Sequence, residues 1–357
     1  MSNAQLLPVG SPWASERPTV ASSNFSLNGS TDQLEFIFQM PEATILTQGW
    51  IRLNAVTGVS PVYRMSLQGV DASGNPDGVI KGGGTPVSKT FTPSGSGTFQ
   101  KIQFDNFYSV ARGEMLALVM DYSSGTIDTS NFASMSSRMV TSLTDFPYAI
   151  TNDAGSRSRV GQIPCFGVAS GSTVYGFPVE NAAVQIINSG AVAEAGAKFT
   201  LPSGWASTYR VVGAKIWMGT LIAAKALTLT LYDGGGAGDT TPLQSVAWDS
   251  DRTAAVTGAD TSIIYFDESA LSTLTFGNTY RIALSTADAS NQTIQGFSVA
   301  AAADMEAFQM GQNFTLSTRT GGNWTDTATS RLFMEIILAD LTKPTFSGGG
   351  GGHIIGG

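Results

Sequence analysis

One stretch and its second copy constrain this chain more than any other feature. Residues Arg64 to Gly78, RMSLQGVDASGNPDG, alternate apolar and polar side chains and then enter a turn of Asp, Gly, Asn and Pro. Residues Ala226 to Thr240, ALTLTLYDGGGAGDT, repeat that design 162 positions later, so that Asp71 matches Asp233 and Asp77 matches Asp239. A strand and turn recurring at that distance in a chain of 357 residues predict two copies of one fold.

Other echoes fall at nearly the same distance. Phe266-Asp267 follow Phe104-Asp105 by 162 positions, and Gly277 follows Gly113 by 164. FQMP at Phe38 to Pro41 matches FTLP at Phe199 to Pro202, and Ser158-Arg159 before VGQIPCFGV match Ser330-Arg331 before LFMEIILADL. These matches place one domain at 31–168 and the second at 182–341, joined by a linker at 169–181. An arm at 1–30, with Trp13 as an isolated anchor, and a Gly-rich tail at 342–357 complete the division.

Within each copy the apolar period is two, and Gly, Pro, Asn and Asp interrupt it at hairpin spacing. Charged residues make up only 13% of the chain while Gly numbers 41, a composition suited to short strands and turns rather than to helices with Glu and Lys faces. The expected fold is all-β, with two tandem antiparallel jelly-roll-like β-sandwich domains related by internal duplication, an extended N-terminal arm and a Gly-rich C-terminal tail. Expected inward positions include Phe36, Phe38, Ile51, Leu53, Met65, Leu67, Leu116 and Leu118. Their counterparts are Ile216, Leu227, Leu229, Ile282, Leu284, Phe333 and Ile337.

Several chemistries are excluded by inventory. The only histidine is His353, so neither a Ser-His or Cys-His nucleophile nor a zinc site can be assembled within the two domains. The only cysteine, Cys165, sits in a strand-like run and reads as a small buried apolar side chain. KGGGTPVSKT lacks the Lys and Ser or Thr directly after the last Gly that a phosphate loop requires. A net charge of −8 without basic clusters argues against nucleic acid, and no run is long and apolar enough to span a membrane. The start, MSNAQLLPVGSPW, lacks the pattern of a signal peptide.

Three candidate sites remain. Asp71, Asn75 and Asp77, and again Asp233 and Asp239, offer hard oxygen ligands in Gly-containing turns, which suits a structural Ca²⁺ and equally suits a turn with left-handed positions. Trp248 and Trp324 are expected in loops, where an indole can stack on a sugar ring. Five glycines from Gly348 to Gly352 tether His353, Ile354 and Ile355, a small apolar tip expected to dock on a neighbouring subunit. The carboxylate pairs Asp105 with Glu114 and Asp267 with Glu268 have the residue types of a glycosidase, but solvated turn charges explain them better, and no enzyme is expected.

The run SGNPDG, followed by GTFQKIQFDNFYSVARGEMLALVMDYSSG, resembles the tandem carbohydrate-binding-module-like sandwiches in structural proteins of tailed-phage virions. The ending HIIGG is similar to the ends of some such proteins. The resemblance covers residues 31–341 loosely and transfers no site residues. It implies a virion component, in a fibre, an appendage or a capsid decoration, that packs on other virion proteins and on copies of itself, with a host surface glycan as a further contact. The rival readings are a secreted bacterial carbohydrate-binding or adhesion module and, behind it, a polysaccharide-cleaving enzyme.

Overall fold

The structure is a computed structural model. It describes residues 4–8, 18–59, 61–95, 97, 99–140, 148–177, 181–201, 209–218, 227–248, 260–267, 269, 271–275, 277–298 and 314–340. The fold is all-β, as the period-two pattern predicts. Two strands lead, β1 (Ala4–Pro8) and β2 (Pro18–Leu27). Then come β3 (Gln33–Gln39), β4 (Thr44–Thr57), β5 (Val62–Val70), β6 (Pro76–Ile80), β7 (Ser88–Phe91), β8 (Phe99–Val110) and β9 (Met115–Ser124). They are followed by β10 (Phe132–Val140), β11 (Tyr148–Asp153), β12 (Ser156–Val160), β13 (Gln162–Pro164), β14 (Phe166–Ser170) and β15 (Thr173–Phe177).

The later half holds β16 (Asn181–Ile187), β17 (Glu194–Thr200), β18 (Tyr209–Met218), β19 (Leu227–Asp233), β20 (Pro242–Trp248) and β21 (Asp260–Tyr265). It ends with β22 (Thr279–Thr286), β23 (Gln292–Ser298), β24 (Thr315–Arg319), β25 (Trp324–Thr327), β26 (Ser330–Leu332) and β27 (Met334–Asp340).

These strands form four antiparallel sheets in two sandwiches. In the first sandwich one sheet runs β12-β11-β3-β9-β5-β6 with β7 also on β5, and the other runs β13-β10-β4-β14-β15 with β2 on β10 and β8 on β4. In the second, one sheet runs β25-β24-β17-β22-β19-β20, and the other runs β1-β27-β18-β23-β16 with β21 on β18 and β26 on β23. The orders coincide when β3 is set on β17, β5 on β19, β9 on β22 and β11 on β24. In the opposite sheets β4 falls on β18, β8 on β21, β10 on β23 and β14 on β27. One place is filled differently: β15 flanks β14 in the first sandwich, while β1 flanks β27 in the second.

Alternation decides which side chains go inside. Leu34, Phe36 and Phe38 of β3 and Leu116, Leu118 and Met120 of β9 point into the first core, where the Phe36 ring stacks on Phe166 with centroids 4.8 Å apart. Phe199, Leu229, Leu231, Ile282 and Leu284 do the same in the second, with Phe199 on Phe314 at 6.1 Å. Each such side chain contributes about 1.5–3 kcal/mol by leaving water. All the expected inward residues are buried, but two face elsewhere. Met334, Ile336 and Leu338 take the inward positions of β27, so Ile337 turns to the opposite face with Val212 and Ala339. Phe333, which precedes β27, joins Trp217 in the first sandwich's cluster and ties the two sandwiches together.

The segment expected as an arm carries β1, paired with β27, and β2, paired with β10. The segment expected as a linker carries β15. Trp13 and the tail residues His353, Ile354 and Ile355 lie outside the described residues.

Candidate functional site

The repeated turns fold back over the outer faces of their own sheets, and this is where the polar side chains of the molecule converge. In the first sandwich the chain leaves β5 at Val70, and Asp71 closes the turn: its amide donates to Asn75 O at 2.8 Å, and its Oδ1 accepts from the amides of Ser73 and Asn75 at 2.8 and 2.9 Å. Gly74 has φ +82°, and its carbonyl accepts the Tyr148 hydroxyl at 2.7 Å. A Cβ at this position would meet Tyr148 Oη at 2.6 Å, so glycine is required twice over. Asp77 Oδ1 accepts the Val79 amide at 2.8 Å. Beneath the turn lie Ile37, Ala117, Val119, Tyr148 and Ile150, an apolar patch on the solvent side of the sheet. The Arg159 guanidinium covers the Tyr148 ring at 3.8 Å. Burial pushes the Tyr148 hydroxyl up from its ordinary value, against the lowering charge of Arg159.

In the second sandwich the corresponding turn runs from Asp233 to Thr241, closed by Asp233 N to Thr241 O at 3.1 Å, and Asp239 Oδ2 accepts the Gly236 amide at 2.5 Å. Here the turn rests on charge. Arg281, fully buried on β22, donates to the carbonyls of Gly236 and Gly235 at 2.8 Å each, to Ser317 Oγ at 3.0 Å and to Asp326 at 3.2 Å. Lys198 Nζ holds the same carboxylate at 2.8 Å. Burial raises the Asp326 pKa, but the hydrogen bonds from Lys198 and Ser317 and the charge of Arg281 outweigh it and leave the group below its ordinary value.

Trp324, expected in a loop, opens β25 and is only 4% exposed. Its amide donates to Ala237 O at 2.8 Å and its Nε1 to Asp239 O at 3.0 Å, so the indole is a second clasp on the turn. Its ring meets Tyr232 edge-on at 5.2 Å, with Arg319 4.8 Å from the indole centroid. Arg319 pairs with Glu194, which also accepts the Tyr232 hydroxyl at 2.6 Å, and burial with that carboxylate drives the Tyr232 pKa up. Trp248 is half-buried on β20 against the second core.

The five candidate calcium ligands therefore sit in two separate turns, and Asp71, Asp77 and Asp239 each accept a local backbone amide. Among the described residues no three His, Cys, Asp or Glu side chains gather as a metal would require. Asp105 is held by Lys89 at 2.5 Å, whereas Glu114 is held by Lys81 at 3.2 Å and by the Tyr108 hydroxyl at 2.6 Å. Asp267 caps Ser269, and Glu268 lies outside the described residues. A cleft of about 190 Å³ opens between Asn28, Asp32, Gln33 and Asn152. It is smaller than the roughly 300–1,000 Å³ of ordinary ligand sites. The Asp32 carboxylate in it already accepts the Gly29 amide at 2.7 Å.

Glu35, wholly buried on β3, was not singled out by sequence. Burial raises its pKa above the ordinary carboxylate value despite Arg157 at 3.1 Å and the Asn152 amide at 3.4 Å. Exposed apolar side chains were missed as well. Ile45 of β4 is 51% exposed and Phe107 of β8 is 66% exposed; in the matching sheet Ile263 and Tyr265 of β21 are 46% and 44% exposed. A strand pattern shows that these residues alternate with inward ones, but not that the neighbouring strand leaves their face uncovered.

No family model matches the chain. No curated protein matches it either. Among solved structures it is similar to that of the Gt strain of infectious bursal disease virus, with 11% identity over 94% of this chain and 80% of that one, at a TM-score of 0.17. It is also similar to the N-terminal CBM22-1-CBM22-2 tandem domain from Paenibacillus barcinonensis Xyn10C, with 9% identity over 82% of this chain and 98% of that one, again at 0.17. At such values the likeness assigns neither a family nor a function.

Proposed function

We propose that this chain is a non-enzymatic structural component of a virion, a fibre, appendage or capsid decoration of a tailed phage, that works by packing against copies of itself and other virion proteins. The supporting observation is the placement of Ile45 and Phe107 on one strand pair and of Ile263 and Tyr265 on its counterpart, β21. Large apolar side chains left in water at matching strands of both sandwiches suit a partner surface. The polar groups of the outer faces, by contrast, are engaged in holding the two turns.

The test is particle association. Replacing Phe107 and Tyr265 together by Ser is expected to abolish incorporation of the full chain into purified particles, with melting shifted by no more than about 0.5 kcal/mol as for ordinary surface changes. Undiminished incorporation would sink the packing role. A second reading, a secreted bacterial carbohydrate-binding or adhesion module, is favoured by the same exposed rings, since aromatic faces stack on sugars. Glycan-array binding by the isolated protein, lost in the same variant and accompanied by no particle association, would select that module. A host glycan as a secondary ligand predicts both activities together.

A further inference from the structure

One strand has a place in the fold that chain order does not set. In the first sandwich Val168 of β14 pairs with Gly49 on one side and with Tyr175 of β15 on the other. In the second, Ile336 of β27 pairs with Ala214 on one side and with Leu7 of β1 on the other. Gly49 and Ala214 are themselves matched, because they pair with Ile102 and Ile264 in equivalent strands. The position beside β27 is thus the position that β15 fills, and a strand belonging by sequence to the other end of the chain fills it. The pairing runs antiparallel from Ala4 with Ala339 to Pro8 with Glu335.

From this geometry we infer that β1 is an exchangeable strand, which leaves the β27 edge of its own chain and completes the β27 edge of a second copy. Three observations lead there. The edge needs a strand: Ile336, Ile337, Leu338 and Ala339 are all buried, and an open backbone edge beside such residues is a template for pairing. The strand is portable, because its partner residues are 327 positions away at its near end, while its own continuation, β2, belongs to the other sandwich. The match is specific, because a second copy presents the same five residues to the same edge in the same register. Exchange keeps every described strand pairing in its register and changes only which copy supplies β1. The inference is independent of the virion reading and needs no particle.

Two variants test it. Ala4→Cys and Ala339→Cys place single thiols on directly opposed residues, each with Cys165→Ala and one of them with a mass tag. The two proteins are mixed at high concentration, passed through mild denaturant, refolded and oxidised. The expected result is a disulfide-linked heterodimer in the mixture, lost on adding excess unlabelled protein with Ala4 and Ala339 intact, while a chain carrying both thiols also closes on itself. A mixture that stays unlinked while the double variant closes internally would overturn exchange. Failure of the double variant to close, with unchanged far-UV circular dichroism and melting, would overturn the pairing itself.

Discussion

The two turn-bearing sheets share strand order and register but have opposite outer faces. Ile37 pairs with Ala117 and Tyr148, whereas at the same positions Lys198 pairs with Arg281 and Thr315. Glu35 pairs with Val119 and Ile150, whereas Gly196 pairs with Ala283 and Ser317. The first sandwich thus buries an apolar patch under its turn and needs one hydroxyl, that of Tyr148, to satisfy the carbonyl above it. The second places a guanidinium there and satisfies two carbonyls, a hydroxyl and a carboxylate at once. The difference shows that the inner face specifies this fold. The outer face has only to leave no backbone group stranded beneath the turn, and either chemistry does so.

The sharpest way to break the comparison is Arg281→Met. Removing the buried cation leaves the Gly235 and Gly236 carbonyls without their side-chain donor and takes from Asp326 one of its two cations, Lys198 remaining, at an expected cost of about 2–5 kcal/mol. Amide exchange should rise across 234–241 and through the second sandwich, while the first is unmoved. Equal loss of protection in both would show that the sandwiches unfold as one unit.

Tyr148→Phe is the matching change in the first sandwich and removes a single hydrogen bond, at about 0.5–1.5 kcal/mol. Exchange of the 71–77 amides should report it, and a loss as large as that of Arg281→Met would show that the apolar patch does not hold the turn.

Acid titration separates the faces by sign. The Glu35 pKa is raised above 4.5, so its contribution to stability is present below 4.5 and is lost as pH rises through its folded value. Glu35→Gln should therefore melt above the parent protein at pH 7 and approach it in acid, below 4.5. The Asp326 pKa is lowered below 3.8, so its contribution is present above 3.8 and is lost as pH falls through its folded value. Asp326→Asn should melt below the parent at pH 7 and approach it only under strong acid. Gaps of the same sign for the two variants at pH 7 would refute the assignment.

Much of this fold can be read in the sequence because period two is a local signal. Phe36, Phe38, Leu116 and Leu118 announce the inner face without any knowledge of partners. The clasps cannot be read the same way. In FGNTYRIALST, Arg281 alternates with apolar neighbours and so resembles a solvated outward residue; it is buried only because a turn some 45 positions earlier folds over it. Trp324 follows Gly-Gly-Asn, a loop signal, yet its strand begins at the indole because Ala237 and Asp239 supply acceptors for both of its N–H groups. The aspartates of the turns could be read as turn residues from their Gly and Asn company. β1 leaves no local trace, because five residues cannot establish a period and their partner lies at the far end of the chain.

That distance has a consequence for how the molecule is made. β1 leaves the ribosome well ahead of its partner β27, which emerges 327 residues later, roughly 15–65 s at about 5–20 residues per second. The first sandwich has all its own strands long before then and can close while the strand ahead of it still waits. Each nascent chain on a polysome therefore carries an unpaired strand past neighbours that are completing their β27 edges, so translation is the stage at which copies have the best opportunity to become linked.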